Sequence, residues 1–319
     1  MDIMNRMMSG EASPSQIASL LSIMRLRGET VEEIVGFTKA MRRRMLSIQH
    51  KEEVMDTCGT GGDGASTFNI STASSIVMAS LGVKVAKHGN RSFSSKSGSA
   101  DVLEHLGITP QKTPEEAIEA LDRYNMSFLF APIYHASMKH AVEPRKDIGF
   151  RTIFNLLGPL ANPAGAKRQM IGVFSNHYAA LMAEALLELG TEQALLLTGR
   201  DGLDECSISE ITDAVEVKNG SIRRYSISPE QFGLERGLLK DIQVSNPAES
   251  ANVILNAFSG NGNESARNII ALNAGAGLYT AGQAESIELG VADSLRALED
   301  GTALYHLNKM MKKKEEKYA

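Results

Sequence analysis

The stretch DTCGTGGDGASTFNIST, residues 56–72, constrains this chain more than any other. Its glycines Gly59, Gly61, Gly62 and Gly64 stand between an apolar lead-in, Val54-Met55, and a run at 70–81 that reads as a helix. Glycines let backbone N–H groups approach an oxyanion with no Cβ in the way, and a helix starting just beyond adds the partial positive charge of its N-terminus. Asn69, Ser71 and Thr72 would sit at that helix start. After Asp63 no acidic residue appears until Asp101, while Lys84, Lys87, His88, Arg91 and Lys96 all fall in the gap. The segment is expected to bind an anion, and phosphate suits it.

Two familiar phosphate loops can be tested against these letters. Gly59-x-Gly61-x-x-Gly64 has the spacing of a dinucleotide fingerprint, but that motif also expects an acidic residue about 20 positions on, where this chain is uncharged or basic. The Walker loop ends in Gly-Lys-Ser/Thr, and Asp63-Gly64-Ala65 stands there instead. A glycine-rich turn is ordinarily just a strand-to-helix connection. Here Lys87-His88-Gly89-Asn90-Arg91 and residues 94–99, SSKSGS, repeat the same chemistry nearby.

With 319 residues the chain has room for two structural units. A net charge of −5 argues against a general nucleic-acid surface and makes the basic stretch local, its partner small. Two cysteines, Cys58 and Cys206, cannot make a disulfide framework, and no metal-type Cys/His spacing occurs. The Met-rich start carries Asp2, Arg6 and Glu11, unlike a signal peptide, and no run of 18 apolar residues exists, so a cytoplasmic protein is expected.

Ser13-Pro14-Ser15-Gln16 and Thr30-Val31-Glu32-Glu33 read as capping boxes opening two short helices. From residue 53 the pattern alternates between apolar stretches and helices, with strands expected at 83–86, 126–131, 170–174 and 194–198. Residues 134–149 interrupt it as a helical insert that belongs with the opening helices, and Pro159, Pro163 and Gly165 are expected to end the helix that follows. Residues 214–217 and 222–227 around Asn219-Gly220 read as a hairpin with a type I′ turn. MMKKKEEKYA reads as a charged helix end that frays.

The loop after the strand at 194–198, GRDGLDECS, carries Asp204-Glu205. Carboxylates in such a loop are usually just polar surface, but beside a phosphate cradle the pair suits Mg²⁺, which takes one or two carboxylates plus water and phosphate oxygens. Loops after the carboxyl ends of parallel strands are also where α/β ligands bind. His88, with Lys87 and Arg91 as neighbours, is expected to hydrogen-bond rather than transfer protons. Arg145 offers a two-point contact for a carboxylate.

Taken together, DTCGTGGDGASTFNIST, KHGNRSFSSKSGSADVLEHLG, RKDIGFRTIFNLLGPLANPA and DGLDE closely resemble the motifs of the anthranilate phosphoribosyltransferases, in the same order and over nearly the whole chain. The resemblance implies an α/β nucleoside-phosphorylase-like fold: a large domain, residues 50–133 with 161–319, whose mostly parallel central sheet is flanked by helices, and a small all-helical domain, residues 1–49 with 134–160. It implies a homodimer joined through the small domain, no membrane or nucleic-acid partner, and Mg²⁺-dependent transfer of phosphoribose from phosphoribosyl pyrophosphate (PRPP) to anthranilate in tryptophan biosynthesis.

Residue by residue, the resemblance places Gly59, Gly61, Gly62, Asp63, Thr67, Asn69, Ser71, Thr72, Lys87, Ser95 and Ser99 on the donor. Ser71, Asp204 and Glu205 fall to the metal, and Gly59, His88, Asn90, His135 and Arg145 to the acceptor, with no dedicated acid or base. Phe93 stands where the family commonly has a smaller apolar residue. A pyrimidine nucleoside phosphorylase, or an inactive nucleic-acid-binding relative, is the alternative; the latter should show a basic surface and eroded donor motifs.

Overall fold

The computed structural model describes residues 1–91 and 97–311. Expectations resting on Phe93, Ser94, Ser95, Lys96 and the charged tail lie outside the described residues. Three helices open the chain: α1 (Asp2–Ser9), α2 (Pro14–Arg27) and α3 (Val31–Arg44). Both capping boxes form. The Ser13 hydroxyl accepts from the Gln16 N–H at 3.3 Å while Gln16 Oε1 accepts from the Ser13 N–H at 2.9 Å, and Thr30 and Glu33 repeat the exchange at 3.3 and 3.1 Å.

Alternation then follows as β1 (Met55–Gly59), α4 (Ile70–Ser80), β2 (Val85–Gly89), α5 (Ser99–His105), α6 (Pro114–Tyr124) and β3 (Met126–Phe130). The insert comprises α7 (Ala131–Tyr134), a 3₁₀ turn, α8 (Val142–Ile148) and α9 (Ile153–Leu160). After it come β4 (Arg168–Gly172), α10 (Asn176–Glu188), β5 (Gln193–Gly199), β6 (Thr212–Lys218), β7 (Ser221–Ile227), α11 (Pro247–Phe258), α12 (Glu264–Ala281), α13 (Ile287–Glu299) and α14 (Thr302–Met311).

The strands form one sheet in the order β3-β2-β1-β4-β5-β6-β7, parallel from β3 to β5 and antiparallel beyond. Between β6 and β7, Asn219 and Gly220 have φ of 51° and 71°, as the hairpin reading requires. Gly199 pairs with Thr212 and Gln193 with Lys218, so the acidic loop leaves and re-enters the sheet at a closed rung. Strand 83–86 in fact runs 85–89, because His88 and Gly89 pair with Leu129 and Phe130; polar letters hid that extension. Pro159 does not end α9, which runs on to Leu160. Its missing N–H removes the bond to the Asn155 carbonyl, and α9 ends one residue later.

One face of the sheet is covered by α4, α5 and α11 to α14, the other by α9, α10 and the N-terminal helices, whose Leu21, Ile34 and Met41 share a core with Leu157, Ile171 and Leu196. Helix α12 is buried nearly all round, and its Gly275 meets Gly290 of α13 so closely that a Cβ on either would strike the other helix's backbone.

Candidate active site

Strand order reverses between β1 and β4, and in open α/β sheets ligands bind in the crevice outside the carboxyl ends of the strands at such a point. A cavity of about 460 Å³ lies here, bounded by the glycine loop after β1, the start of α4, the end of β2, the start of α5, the loop after β5, and Val142, Arg145 and Asn155 from the insert. Its size suits a small-molecule site.

The glycine loop is shaped by left-handed backbone at Gly61, Gly62 and Gly64, with φ of 67°, 80° and 74°, which side chains with a Cβ adopt at a cost. Gly59 is needed for approach: a Cβ there would stand 2.7 Å from Asp204 Oδ2. Gly172, its β4 partner, would drive a methyl into the Asp204 carbonyl. Two bare Cα atoms thus seat the acidic loop, and the Gly61 N–H donates to Asp204 Oδ2 at 2.9 Å. Behind the loop, the Arg151 guanidinium donates to the Gly62 carbonyl and stacks 4.2 Å from the Phe174 ring centre.

Asn69 caps α4, its Oδ1 accepting from the Thr72 N–H at 3.1 Å and from the Ser71 and Ser99 hydroxyls at 3.4 Å, so it ties the starts of α4 and α5 together. Lys87 is buried at 1 % exposure, and its Nζ donates to the Thr57 carbonyl at 2.7 Å and the Ser71 hydroxyl at 2.9 Å. Burial lowers the Lys87 pKa, opposed by the charges of Asp56 and Glu205.

The acidic pair is the most perturbed part of the site. Burial, with Asp63 adding repulsion, pushes Asp204 up to about 7; burial, with Asp204 adding repulsion, pushes Glu205 up to about 8, while Lys87 and the Ser71 N–H favour its anion. Both face the cavity. Crowded carboxylates pressed toward their neutral forms, with a hydroxyl at Ser71 beside them, are a hard-oxygen donor set, and they fit Mg²⁺. A second acidic group, His50, Glu52 and Asp122, brings ligand atoms within 4.8 Å of one another. There Lys51 and Lys84 already pair with Asp122 and Glu52, at 3.3 and 3.5 Å, so that cluster is charge-compensated.

His88 Nδ1 lies 3.2 Å from the Gly158 carbonyl, which can only accept, so the proton sits on Nδ1 and Nε2 is left a buried acceptor without a partner. Burial, and then His135, push its pKa down to about 3. Loss of the charged form was expected, but from Lys87 and Arg91. Lys87 lowers the pKa less than either burial or His135, and Arg91 has its charge paired with Asp101 and Glu104 at 2.7 and 2.5 Å. Lys84 lies at the opposite end of β2, donating to the Leu121 carbonyl at 3.0 Å. Among the described residues of the basic gap, Lys87 is the buried cation on the cavity, while Arg91 lines it with its charge already paired; backbone amides make up the rest of the anion site.

Of the residues expected on the donor, Gly59, Gly61, Gly62, Asp63, Thr67, Asn69, Ser71, Lys87 and Ser99 line the cavity, while Thr72 is wholly buried one turn into α4 and Ser95 lies outside the described residues. On the acceptor side His88, Asn90 and Arg145 line it. His135 does not: it stands behind His88, ring centres 5.0 Å apart, with Nε2 3.0 Å from the Ala161 carbonyl. Asn155 was missed, because nothing in RTIFNLLGP marks which α9 face meets the cavity. Both thiols are held protonated by burial, which suits packing rather than nucleophilic roles.

Comparison with known proteins shows the family. Family models described as "Glycosyl transferase family, helical bundle domain" and "Glycosyl transferase family, a/b domain" match residues 1–45 and 51–304. An anthranilate phosphoribosyltransferase of Geobacillus kaustophilus is 61% identical, over 97% of this chain and 91% of that protein. Among solved structures, the anthranilate phosphoribosyltransferase of Thermus thermophilus superposes with a TM-score of 0.90 at 40% identity, covering 97% of this chain and 93% of that one. The Saccharomyces cerevisiae enzyme, in complex with PRPP and Mg, gives 0.83 at 27% identity, covering 94% and 85%.

Proposed function

The chain belongs to the anthranilate phosphoribosyltransferase family, and from that premise we propose which of its residues carry the family's reaction. It is a Mg²⁺-dependent glycosyltransferase that moves the 5-phosphoribosyl group of PRPP to the amino group of anthranilate, releasing pyrophosphate, in tryptophan biosynthesis. What supports the residue assignment is one observation: the glycine loop, Lys87 and the Asp204–Glu205 pair face the same cavity as Arg145, whose guanidinium rests 5.1 Å from the Phe154 ring centre and feels burial without any carboxylate to offset it.

In this reading the N–H groups of the glycine loop and of the α4 start hold the pyrophosphate, with Asn69, Thr67 and Ser99 on the donor's hydroxyl and phosphate oxygens. Asp204, Glu205 and Ser71 hold Mg²⁺. The ion, when bound, neutralises charge on the departing pyrophosphate. Lys87 and the glycine amides stabilise the same charge from the protein side as the C1′–O bond breaks and its electron pair leaves with pyrophosphate. Arg145 orients the acceptor by its carboxylate, and His88 Nε2 accepts an N–H of the aromatic amine. Anthranilate's amine is neutral at pH 7 and attacks C1′ as it stands, and the proton made acidic by the new C–N bond is lost to solvent, so positioning in line replaces a dedicated base.

The division into residues 1–49 with 134–160 and 50–133 with 161–319 belongs to the same proposal, placing donor and metal on one unit and Arg145 on the other. So does a homodimer through the N-terminal helices, supported by Leu26 at 91% exposure and Ile23 at 62%. A cytoplasmic location remains part of it, resting on the sequence reading.

The test is direct: protein, PRPP, Mg²⁺ and anthranilate should consume anthranilate fluorescence. Asp204→Asn with Glu205→Gln should slow this by about 10²-fold or more. Unchanged fluorescence with folded wild-type protein would sink the reading.

A further inference from the structure

Helix α9 has one ridge that is not fully buried, and from it Asn155 lines the cavity. Within it only Asn155 and Gly158 escape full burial, three residues apart and so on one face, with Arg151 one turn earlier. Two of these are engaged. The Gly158 carbonyl accepts from His88 and Arg151 donates to the Gly62 carbonyl. Asn155 is the ridge residue whose side chain still has hydrogen-bonding capacity on the cavity wall.

The orientation of its amide follows from donor chemistry. The Thr152 N–H donates to Asn155 Oδ1 at 3.1 Å, which commits the oxygen to the helix start and leaves Nδ2, with two N–H groups, for the cavity. No described residue accepts from Nδ2. The insert's other contributions to the wall are Val142, which is apolar, and Arg145. This wall thus offers donors and a cation, with no acceptor or negative charge of its own beside them, which is the surface a carboxylate fits.

We propose that Asn155 is a specificity-determining residue of the acceptor site, its Nδ2 donating to the carboxylate of the aromatic acceptor alongside Arg145. This deepens the proposed function and rests on it. A group built to hydrogen-bond one substrate feature discriminates by being left unpaired when the feature is missing, so the residue acts on choice of acceptor as well as on affinity.

Asn155→Asp is the informative variant. Its carboxylate can still accept from the Thr152 N–H, preserving the helix start, while the donors are replaced by an anionic oxygen. With thermal stability matched to wild type, the KM for anthranilate should rise about 30-fold and the KM for PRPP stay within about twofold. The preference for anthranilate over its uncharged carboxamide should fall about tenfold. An anthranilate KM within about twofold of wild type, or equal rises for both substrates, would overturn the proposal. Should this variant not fold, Asn155→Ser is measured the same way, with an expected rise of about tenfold and the same overturning result. Wild-type protein that turns over no anthranilate would overturn the proposed function instead.

Discussion

A neutral imidazole at position 88 can accept a hydrogen bond from an aromatic amine; a charged one cannot. The protein keeps it neutral by burial and by placing His135 behind it, and that choice has a measurable cost in acid. His88 has a folded pKa near 3 against 6.5 for an ordinary histidine, so as pH falls below 6.5 the unfolded chain takes up a proton that the folded chain refuses. Stability from this residue is therefore complete above pH 6.5 and drains away between 6.5 and 3. Urea unfolding of wild type and His88→Asn should diverge over that window, wild type losing up to about 1.4 kcal/mol per pH unit relative to the variant. Parallel pH profiles would refute it.

The same residue shows where sequence reading stops. That His88 belonged near a ligand was legible from KHGN; the group that sets its proton was not, because neighbours in the chain look like neighbours in space. Arg91 turns away to Asp101 and Glu104, and the decisive partners, Gly158 and His135, come from the insert 70 and 47 positions on, across the fold.

Among elements, α12 has a function its apolar letters conceal. Asn273, fully buried in the middle of it, accepts from the Cys206 N–H at 2.8 Å and donates to the Cys206 carbonyl at 2.9 Å, gripping the residue next to Glu205 at both polar atoms. Asp201 ties the other flank, accepting from the Ser207 and Ser209 hydroxyls at 2.6 and 2.8 Å. Asn273→Leu is expected to strand both Cys206 groups, costing about 2–3 kcal/mol of stability, and to raise the Mg²⁺ concentration for half-maximal activity several-fold while the anthranilate KM holds. Isothermal or kinetic Mg²⁺ titration beside a melting curve checks it; a stability loss with an unmoved Mg²⁺ midpoint would make the clamp purely structural.

Most elements were readable because the signals were local: capping boxes, the glycine turn, the Asn-Gly hairpin. The carboxylates of DGLDE were readable too, as letters after a strand. Their seat was not, since it needs Gly59, Gly172 and Asn273 from three distant segments meeting one loop.

For the whole molecule, one face stays unexplained by a single copy. Ile23 and Leu26 expose apolar surface on α2, whose first turns line a groove with α1 made by Ile3, Arg6, Met7, Ala12, Gln16, Ile17 and Leu20. The proposed homodimer would cover them. Light scattering after size exclusion should give about twice the 34.4 kDa chain mass, and Ile23→Asp with Leu26→Asp should return it to one copy. A wild-type monomer at micromolar concentration would remove the dimer from the proposal.

The closed rung between Gly199 and Thr212 also separates two uses of the β6–β7 arm. One end fixes the length of the acidic loop, so an insertion between those residues would be paid in catalysis. The other end, at Asn219-Gly220, lies beside Gln193 at the start of β5, the end of the strands away from the cavity. A peptide tag or fluorescent reporter spliced into that tip would hang from the back of the enzyme, giving it a handle for immobilisation that leaves the mouth of the site open.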